Sequence, residues 1–122
     1  MNSNKFSIKQ RIQSFQHAFR GLVNLFKYEH NSRIHLVSGI IIIIAGFSLK
    51  ITSAEWLIII LVIGLVFITE LLNTAIERLA DKVKPEFDPI IKKVKDYAAA
   101  AVLVASIAAL IVGCIIFLPK II

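Results

Sequence analysis

Three carboxylates and one amide lie at spacings that an α-helix would bring into a single row. Asn73, Glu77 and Asp81 follow Glu70 by 3, 7 and 11 residues, which are the offsets of neighbours on one helical face. Like charges in such a row repel one another unless a proton or a cation lies among them. A carboxylate within a membrane-spanning helix also costs about 2.5–3.5 kcal/mol near the bilayer centre. The row therefore predicts a functional site. The structural alternatives are an interhelical bond for Glu70 and Glu77, for instance to Lys95, and a solvated helix end for Asp81.

The depth of these groups indicates which chemistry they would serve. Glu70 and Glu77 are seven residues apart, about 10 Å along a helix axis, so one reaches head-group depth while the other faces the aqueous boundary. Carboxylate oxygens suit Mg²⁺, which keeps several waters and binds phosphates beside one or two acids. Lys95, followed by Asp96, could neutralise phosphate charge, or could simply anchor a helix at the interface. The pattern favours a reaction between an interfacial lipid and a metal-bound, water-soluble substrate.

Several common catalytic signatures are absent from the sequence. It contains no Walker A sequence, no GxGxxG, no HExxH and no CxxC. His17, His30 and His35 are not spaced as a metal cluster, and each alone fits a surface or helix-cap position. A single cysteine, Cys114, excludes a disulfide scaffold. If the chain handles ATP, it does so without a common nucleotide-binding fold.

Composition determines the class of protein that must position these groups. The 122 residues are 57% hydrophobic and 18% charged, against roughly 25% charged in soluble domains. That hydrophobicity excludes a disordered chain. The 14 Lys and Arg exceed the 8 Asp and Glu, which leaves a net charge of +6. Such a chain is typical of a membrane protein whose basic segments meet anionic lipid or phosphate.

Three apolar segments predict an all-α membrane protein with three spanning helices, in one domain over residues 1–122. We expect these helices at residues 33–50, 53–80 and 89–118. The second opens with Thr52 and Glu55 in a capping-box pattern, and Asp88-Pro89 forms an N-cap and first-turn pair before the third. Residues 97–118 carry no formal charge, and at about 1.5 Å per residue they cross a hydrocarbon core of about 30 Å.

A fourth helix is predicted before the first span, at residues 7–28. Its apolar residues recur at steps of three and four, and basic and amide side chains fill the other positions. Such an amphipathic helix suits the surface of a bilayer, although packing on other protein explains it equally well in isolation. The apolar stripe consists of Ile8, Ile12, Phe15, Phe19, Leu22 and Phe26.

Basic residues predict the orientation in the membrane, because Lys and Arg accumulate on the cytoplasmic side. Only Lys50 and Lys120 fall on one side of the predicted spans, so that side is external. The N-terminus and the candidate site are therefore expected in the cytoplasm and the C-terminus outside. The other side holds Lys5, Lys9, Arg11, Arg20, Lys27 and Arg33 before the first span, and Arg78, Lys82, Lys84, Lys92, Lys93 and Lys95 between the second and third.

Two long motifs resemble the bacterial integral-membrane diacylglycerol kinase family. The first is the run ELLNTAIE at residues 70–77, and the second is KKVKDYAAAAVL at residues 92–103. Phe19-Arg20-Gly21-Leu22, Glu29 and Trp56 also fit the family, so the resemblance covers essentially the whole chain. Members of that family are trimers of three-span protomers with an N-terminal surface helix. The resemblance therefore implies a bacterial cell-membrane lipid kinase that uses ATP and Mg²⁺, acts as a homotrimer and needs no nucleic acid.

The resemblance also implies roles for individual residues. Glu70 looks like the general base that takes the proton from the lipid hydroxyl, and Glu29 and Glu77 look like the carboxylates that hold the ATP-bound metal. Asn73 would orient Glu70 or the phosphates, and Asp81 would support the site. Further contacts implied with ATP are Lys95 on the phosphates, Asp96, the surface-helix residue His17, and Glu86, Phe87 and Asp88 before the third span. Ala99 would lie near the lipid.

One departure from the family bears on the substrate. Proteobacterial diacylglycerol kinases carry an acid where this chain has His35, and residues 29–35 look more like the Gram-positive branch that phosphorylates undecaprenol. Undecaprenol is therefore favoured over diacylglycerol as the lipid substrate. A small proton-coupled transporter is a rival from another class, but it would place its acid near mid-membrane. A non-enzymatic membrane scaffold would leave the acidic row unexplained.

Overall fold

The computed structural model describes residues 6–122, which form four α-helices and no strand. Helix α1 spans Ile8–Tyr28, α2 His30–Ser48, α3 Ser53–Val83 and α4 Pro89–Ile121. The predicted all-α membrane class is confirmed, because the elements described are all helices and α2, α3 and α4 are each long and apolar enough to cross a membrane. Of the basic residues that predict the orientation, Lys5 lies outside the described residues.

The helices differ from the expected bounds by up to three residues. Helix α2 begins at His30 rather than residue 33, directly after Glu29, which ends α1 and also starts α2. Helix α3 continues to Val83, and Pro85 follows two residues later. A proline disfavours helical backbone in the residue before it, which here is Lys84, so α3 ends at Val83. Helix α4 continues through Pro119, within its last turn.

Local capping explains why α3 and α4 start where they do. The Thr52 side chain accepts a hydrogen bond from the Glu55 backbone, and Glu55 accepts one from the Thr52 backbone, so the predicted capping box is present. Asp88 accepts from the backbone N–H groups of Ile90 and Ile91 at 2.9 and 3.1 Å. These side chains satisfy donors that the first helical turn leaves free.

The turn between α2 and α3 is tightly packed. Lys50 has a φ of 53°, and the Ile51 backbone N–H donates to the Gly46 carbonyl at 3.2 Å, as in a Schellman helix ending. Trp56 lies so close to Gly46 that a Cβ there would be 2.7 Å from the indole ring. A small core forms beside this turn from Ile51, Ile59, Ile116 and Phe117. We call this region the hairpin end.

The helices form an antiparallel arrangement whose most extensive packing lies between α3 and α4. Two ion pairs fasten that pair of helices at opposite ends. At the hairpin end Lys120 donates to Glu55 at 2.8 Å. At the other end Lys95 of α4 donates to Asp81 of α3. We call this second region the carboxylate end, because it also contains Glu70.

Within residues 6–122, helix α1 packs against the other helices near its C-terminus. Ile8, Ile12, Phe15 and Phe19 of the predicted stripe are exposed, whereas Leu25, which lies outside that stripe, is 2% exposed. The ring of Phe26 meets Phe67 of α3 edge to face, at 5.5 Å between centroids. The exposed part of the stripe has the character of a surface that lies on lipid. Many large apolar side chains of α2, α3 and α4 are likewise exposed, which suits surroundings of acyl chains.

Candidate active site

Among the residues that the structure describes, Glu70 is the one buried residue with an acidic or basic side chain, and 4% of its surface is exposed. Both of its oxygens have partners on α2. Ser32 donates its hydroxyl to Oε2 at 3.1 Å, and His35 Nδ1 lies 2.5 Å from Oε1. Glu70 therefore forms interhelical bonds to a hydroxyl and an imidazole of α2, whereas Lys95 pairs with Asp81. A buried carboxylate needs such bonds, because desolvation without them is strongly unfavourable.

Sequence reasoning missed Ser32, although a signal for it exists. Ser32 and His35 are three residues apart on α2, so they share one face of the helix. Ser32 is completely buried, as is usual for a hydroxyl that bonds to a buried acid. A polar pair at this spacing in the first two turns of an apolar helix points to a buried acid on a neighbouring helix.

Glu29 occupies the joint between α1 and α2, and its carboxylate is held by α3. Arg78 donates from Nη2 to Glu29 Oε1 at 3.0 Å. Arg33 fixes the same joint from the other side, since its guanidinium donates to the carbonyls of Phe26 and Lys27 at the end of α1. Arg78 directly follows Glu77 in the sequence. The Arg78 contact therefore ties Glu29 to the turn of α3 that carries the second candidate metal ligand.

Asn73 bonds to Glu77 rather than to Glu70. Its Nδ2 donates to Glu77 Oε1 at 3.4 Å, because an offset of four residues puts the two side chains on adjacent turns of one face. The Asn73 Oδ1 atom is buried and has no hydrogen-bond partner within the described structure. Asn73 therefore positions Glu77 through its amide nitrogen, while its amide oxygen accepts no hydrogen bond within the described structure.

The donor chemistry at the carboxylate end fits a magnesium ion that arrives with phosphates. Within residues 6–122, no three His, Cys, Asp or Glu side chains gather as a metal cluster. Two carboxylates are available there, since Glu29 accepts a hydrogen bond from Arg78 and Glu77 accepts one from Asn73. Magnesium commonly uses one or two carboxylates and takes its other oxygens from water and phosphate. The residues present thus match a metal shared with a nucleotide better than a metal held by protein alone.

Ion pairs hold the polar residues around the α3–α4 connection. Lys95 pairs with the exposed Asp81, while Asp96 accepts from Lys92 at 2.7 Å on one face of α4. Asp88 pairs with Lys84 at 3.0 Å. The Lys84 ammonium, followed by the backbone N–H of Ile91, holds the pKa of Asp88 below its ordinary value. Asp88 is thus an ionised helix cap at the entrance to the predicted nucleotide site.

The remaining predicted contacts lie on the exposed surface. His17 is in the middle of α1, where its Nδ1 lies 3.5 Å from the Arg20 guanidinium. Glu86 and Phe87 are exposed in the α3–α4 connection, and Ala99 is exposed on α4. The described structure therefore does not bring His17 or Ala99 into contact with Glu70.

An apolar cavity of about 510 Å³ opens next to the Glu70 cluster, a size typical of ligand sites. It runs between α2, α3 and α4 from His35 to Ile121, and its walls are mostly aliphatic. Ser106 contributes a buried hydroxyl that has no partner in the described structure. A second apolar cavity, of about 370 Å³, lies between α3 and α4 beside Asn73 and Tyr97. A long hydrocarbon chain can therefore lie against these helices with its polar end near His35.

Comparison with known proteins defines the class. Residues 16–117 match the family described as prokaryotic diacylglycerol kinase. The chain is 41% identical to the undecaprenol kinase of Bacillus subtilis, over 89% of each chain. It is 39% identical to a diacylglycerol kinase of Synechocystis, over 88% of this chain and 62% of that relative, and 28% identical to the diacylglycerol kinase of Escherichia coli, over 95% of each chain. The fold and these matches define a multi-pass membrane lipid kinase, which uses ATP and a lipid acceptor. The chain belongs to the prokaryotic diacylglycerol kinase family.

Proposed function

We propose that this chain transfers the γ-phosphoryl group of ATP to the hydroxyl of undecaprenol, giving undecaprenyl phosphate, with residues 1–122 as one kinase domain. The undecaprenol kinase relative supports this substrate, because its match covers 89% of both chains. Diacylglycerol is the second candidate, since a diacylglycerol kinase of Synechocystis is 39% identical, although the match covers only 62% of that protein. Phosphorylation of diacylglycerol would give phosphatidic acid.

The observation that carries the proposal is the buried carboxylate of Glu70, whose partner His35 lines one end of an apolar cavity. The bonds from Ser32 and His35 fix its position, and the cavity beside it has aliphatic walls. A lipid alcohol that places its hydrocarbon chain in the cavity would bring its hydroxyl to the His35–Glu70 pair. Glu70 then supplies the basicity that activates the hydroxyl, either directly or through a side chain bonded to it, and general-base catalysis of this kind is worth about 10²–10⁴-fold in rate.

The nucleotide would bind at the more polar side of the carboxylate end. Glu29 and Glu77 would hold Mg²⁺, which when bound neutralises charge on the phosphates. Lys95 would then contact the phosphates and exchange its Asp81 partner for them. Most of the acceleration would come from holding the hydroxyl and the γ-phosphate in line. Further nucleotide contacts are assigned to Asp96, to Glu86, Phe87 and Asp88 of the connection, and to His17.

The proposal extends to placement and assembly. The basic residues flanking α2 and α4 support a cytoplasmic carboxylate end in a bacterial cell membrane, with the C-terminus of α4 outside. A homotrimer is supported by the family resemblance and by the small-residue face of α4 around Ala99, because small residues let membrane helices approach closely. Ala99 would then lie near the bound lipid.

The experiment compares two lipids in mixed micelles. Purified protein is incubated with labelled ATP, Mg²⁺ and either undecaprenol or diacylglycerol, and the labelled lipid products are separated. We expect undecaprenol to give the higher kcat/KM, whereas a preference for diacylglycerol would assign the second candidate. Labelling of neither lipid would reject the proposal. Glu70→Gln should abolish turnover and still bind a nucleotide analogue, and near-normal turnover would remove Glu70 from its proposed role.

A further inference from the structure

His35 is the more accessible member of the pair that it forms with Glu70. The side chain of Glu70 is 5% exposed, while that of His35 is 27% exposed. Each oxygen of Glu70 already has a partner, Oε1 with His35 and Oε2 with Ser32. A lipid hydroxyl that approaches this cluster therefore meets the imidazole ring before it meets the carboxylate.

His35 also lines the apolar cavity that suits the lipid. Among the described residues around this cavity, only His35 and Cys114 carry titratable side chains. Cys114 lies six residues before Lys120, near the hairpin end, and so it is far along α4 from the Glu70 cluster. Glu70 itself does not line the cavity. Of the groups at the carboxylate end that can accept a proton, His35 is the one in contact with the space for the lipid.

The contact with Glu70 determines which nitrogen of His35 is free. When Glu70 is ionised, its carboxylate only accepts hydrogen bonds, which assigns the proton of the 2.5 Å contact with Oε1 to Nδ1 of His35. In a neutral imidazole the other nitrogen, Nε2, then has the free lone pair. A buried acid that holds Nδ1–H in this way is the arrangement by which serine hydrolases keep a histidine ready as a base.

We propose that His35 Nε2 accepts the proton of the lipid hydroxyl, and that Glu70 is the buried carboxylate that holds the ring and stabilises its protonated form. This inference rests on the proposed lipid kinase function and specifies how Glu70 contributes to it. Ser32 is a positioning residue, because its hydroxyl occupies Oε2 and leaves Oε1 for the imidazole. His35 is thereby a catalytic residue of this chain.

The step balances without a further reactant. The hydroxyl oxygen forms a bond to the γ-phosphorus while the bond from that phosphorus to the β–γ bridging oxygen breaks, and the electron pair leaves with ADP. The hydroxyl proton moves to His35 Nε2. The imidazolium is then paired with the Glu70 carboxylate, and it loses its proton to water after the products leave.

His35→Asn separates the catalytic role from a structural one. Asparagine keeps an N–H donor close to the position of Nδ1, so Glu70 retains a partner, but it cannot accept the proton. We expect kcat to fall by about 10²–10⁴-fold, with the KM for lipid within threefold of the unsubstituted protein. The matched control is His30→Asn, the same change at an exposed position of α2, which should keep kcat within about twofold.

His35→Ala tests the same role in a different way. The substitution leaves a space beside Glu70, and added imidazole should restore part of the lost kcat in a concentration-dependent manner. Imidazole should not stimulate the unsubstituted protein or His30→Asn. Retained binding of a nucleotide analogue by both His35 variants shows that they are folded.

The outcomes distinguish this inference from the proposed function. Failure of the unsubstituted protein to phosphorylate either lipid would reject the function itself. With an active enzyme, a kcat for His35→Asn within threefold of normal would overturn the assignment of His35 and leave Glu70 as the direct base. The absence of any imidazole effect on His35→Ala would overturn it as well.

Discussion

Gly46→Ala tests the packing of the hairpin end, and the structure gives its magnitude. A Cβ at this position would lie 2.7 and 2.9 Å from two atoms of the Trp56 ring and 3.2 Å from the end of Ile51. The ring also packs against Phe47, at 4.8 Å between centroids, so it must move as part of a cluster. Overpacking of this kind costs about 1–3 kcal/mol. Alanine in a helix recovers about 1 kcal/mol relative to glycine, so the net loss is about 0–2 kcal/mol.

Gly64→Ala is the matched control, because a Cβ at Gly64 would meet nothing within 4 Å. Both variants gain the same helix propensity, so the difference between them isolates the steric cost of about 1–3 kcal/mol. Reversible unfolding in SDS, followed by the fluorescence of Trp56, the one tryptophan of the chain, measures both. Gly46→Ala should unfold at lower SDS and with a changed native emission spectrum. Equal unfolding curves for the two variants would refute the steric argument.

Three further predictions concern the carboxylate end. Arg78→Ala removes the exposed ion pair to Glu29 at the α1–α2 joint, a contact worth about 0.2–1 kcal/mol. The KM for magnesium ATP should therefore rise by up to about fivefold. Kinetics at varied magnesium ATP measure this, and an unchanged KM would contradict it. Lys95→Met should lower kcat/KM for ATP about tenfold or more in the lipid kinase assay. The control Lys93→Met should leave kcat/KM unchanged, and equal losses in the two variants would argue against a contact between Lys95 and the phosphates. Asp88→Asn should unfold more easily than the parent chain at neutral pH. The Lys84 ammonium lowers the pKa of Asp88 in the folded state. The ionised carboxylate therefore stabilises the fold fully above the pKa of Asp88 in the unfolded chain. This stabilisation is lost as the pH falls through the lower pKa of the folded state. The two SDS unfolding curves should therefore converge in acid, and a constant separation would contradict this reasoning.

Features encoded over a few residues could be predicted from the sequence. The capping box of Thr52 and Glu55 and the Asp88 cap each depend on groups within three residues of one another, so their geometry follows once a helix begins. The three apolar segments were equally visible, because length and hydropathy alone specify them. Helix bounds were less certain, since polar residues extend α3 and α4 beyond the apolar segments that indicate them.

Contacts between helices could not be predicted in the same way. Whether Glu70 meets Ser32 or Lys95 depends on how α2 and α4 pack on α3, and the spacing within one helix carries no information about that. The same applies to Leu25, which is buried although it lies beside the predicted apolar stripe of α1. The stripe describes the face that a surface helix turns toward lipid, whereas Leu25 packs where the helix returns to the protein.

The contrast between the two ends of the bundle has a mechanical consequence. Residues 49–52 connect α2 to α3 through a left-handed turn backed by Trp56, and the neighbouring Lys120–Glu55 bridge fastens α4 to the same place. At the opposite end α2 meets α3 through the two bonds of Glu70, and the exposed Lys95–Asp81 pair can exchange partners. We therefore expect rocking of α2 against α3 to be small near the turn and larger toward Glu70. A nucleotide that binds at the carboxylate end would then draw α2 and α3 together there without disturbing the hairpin end.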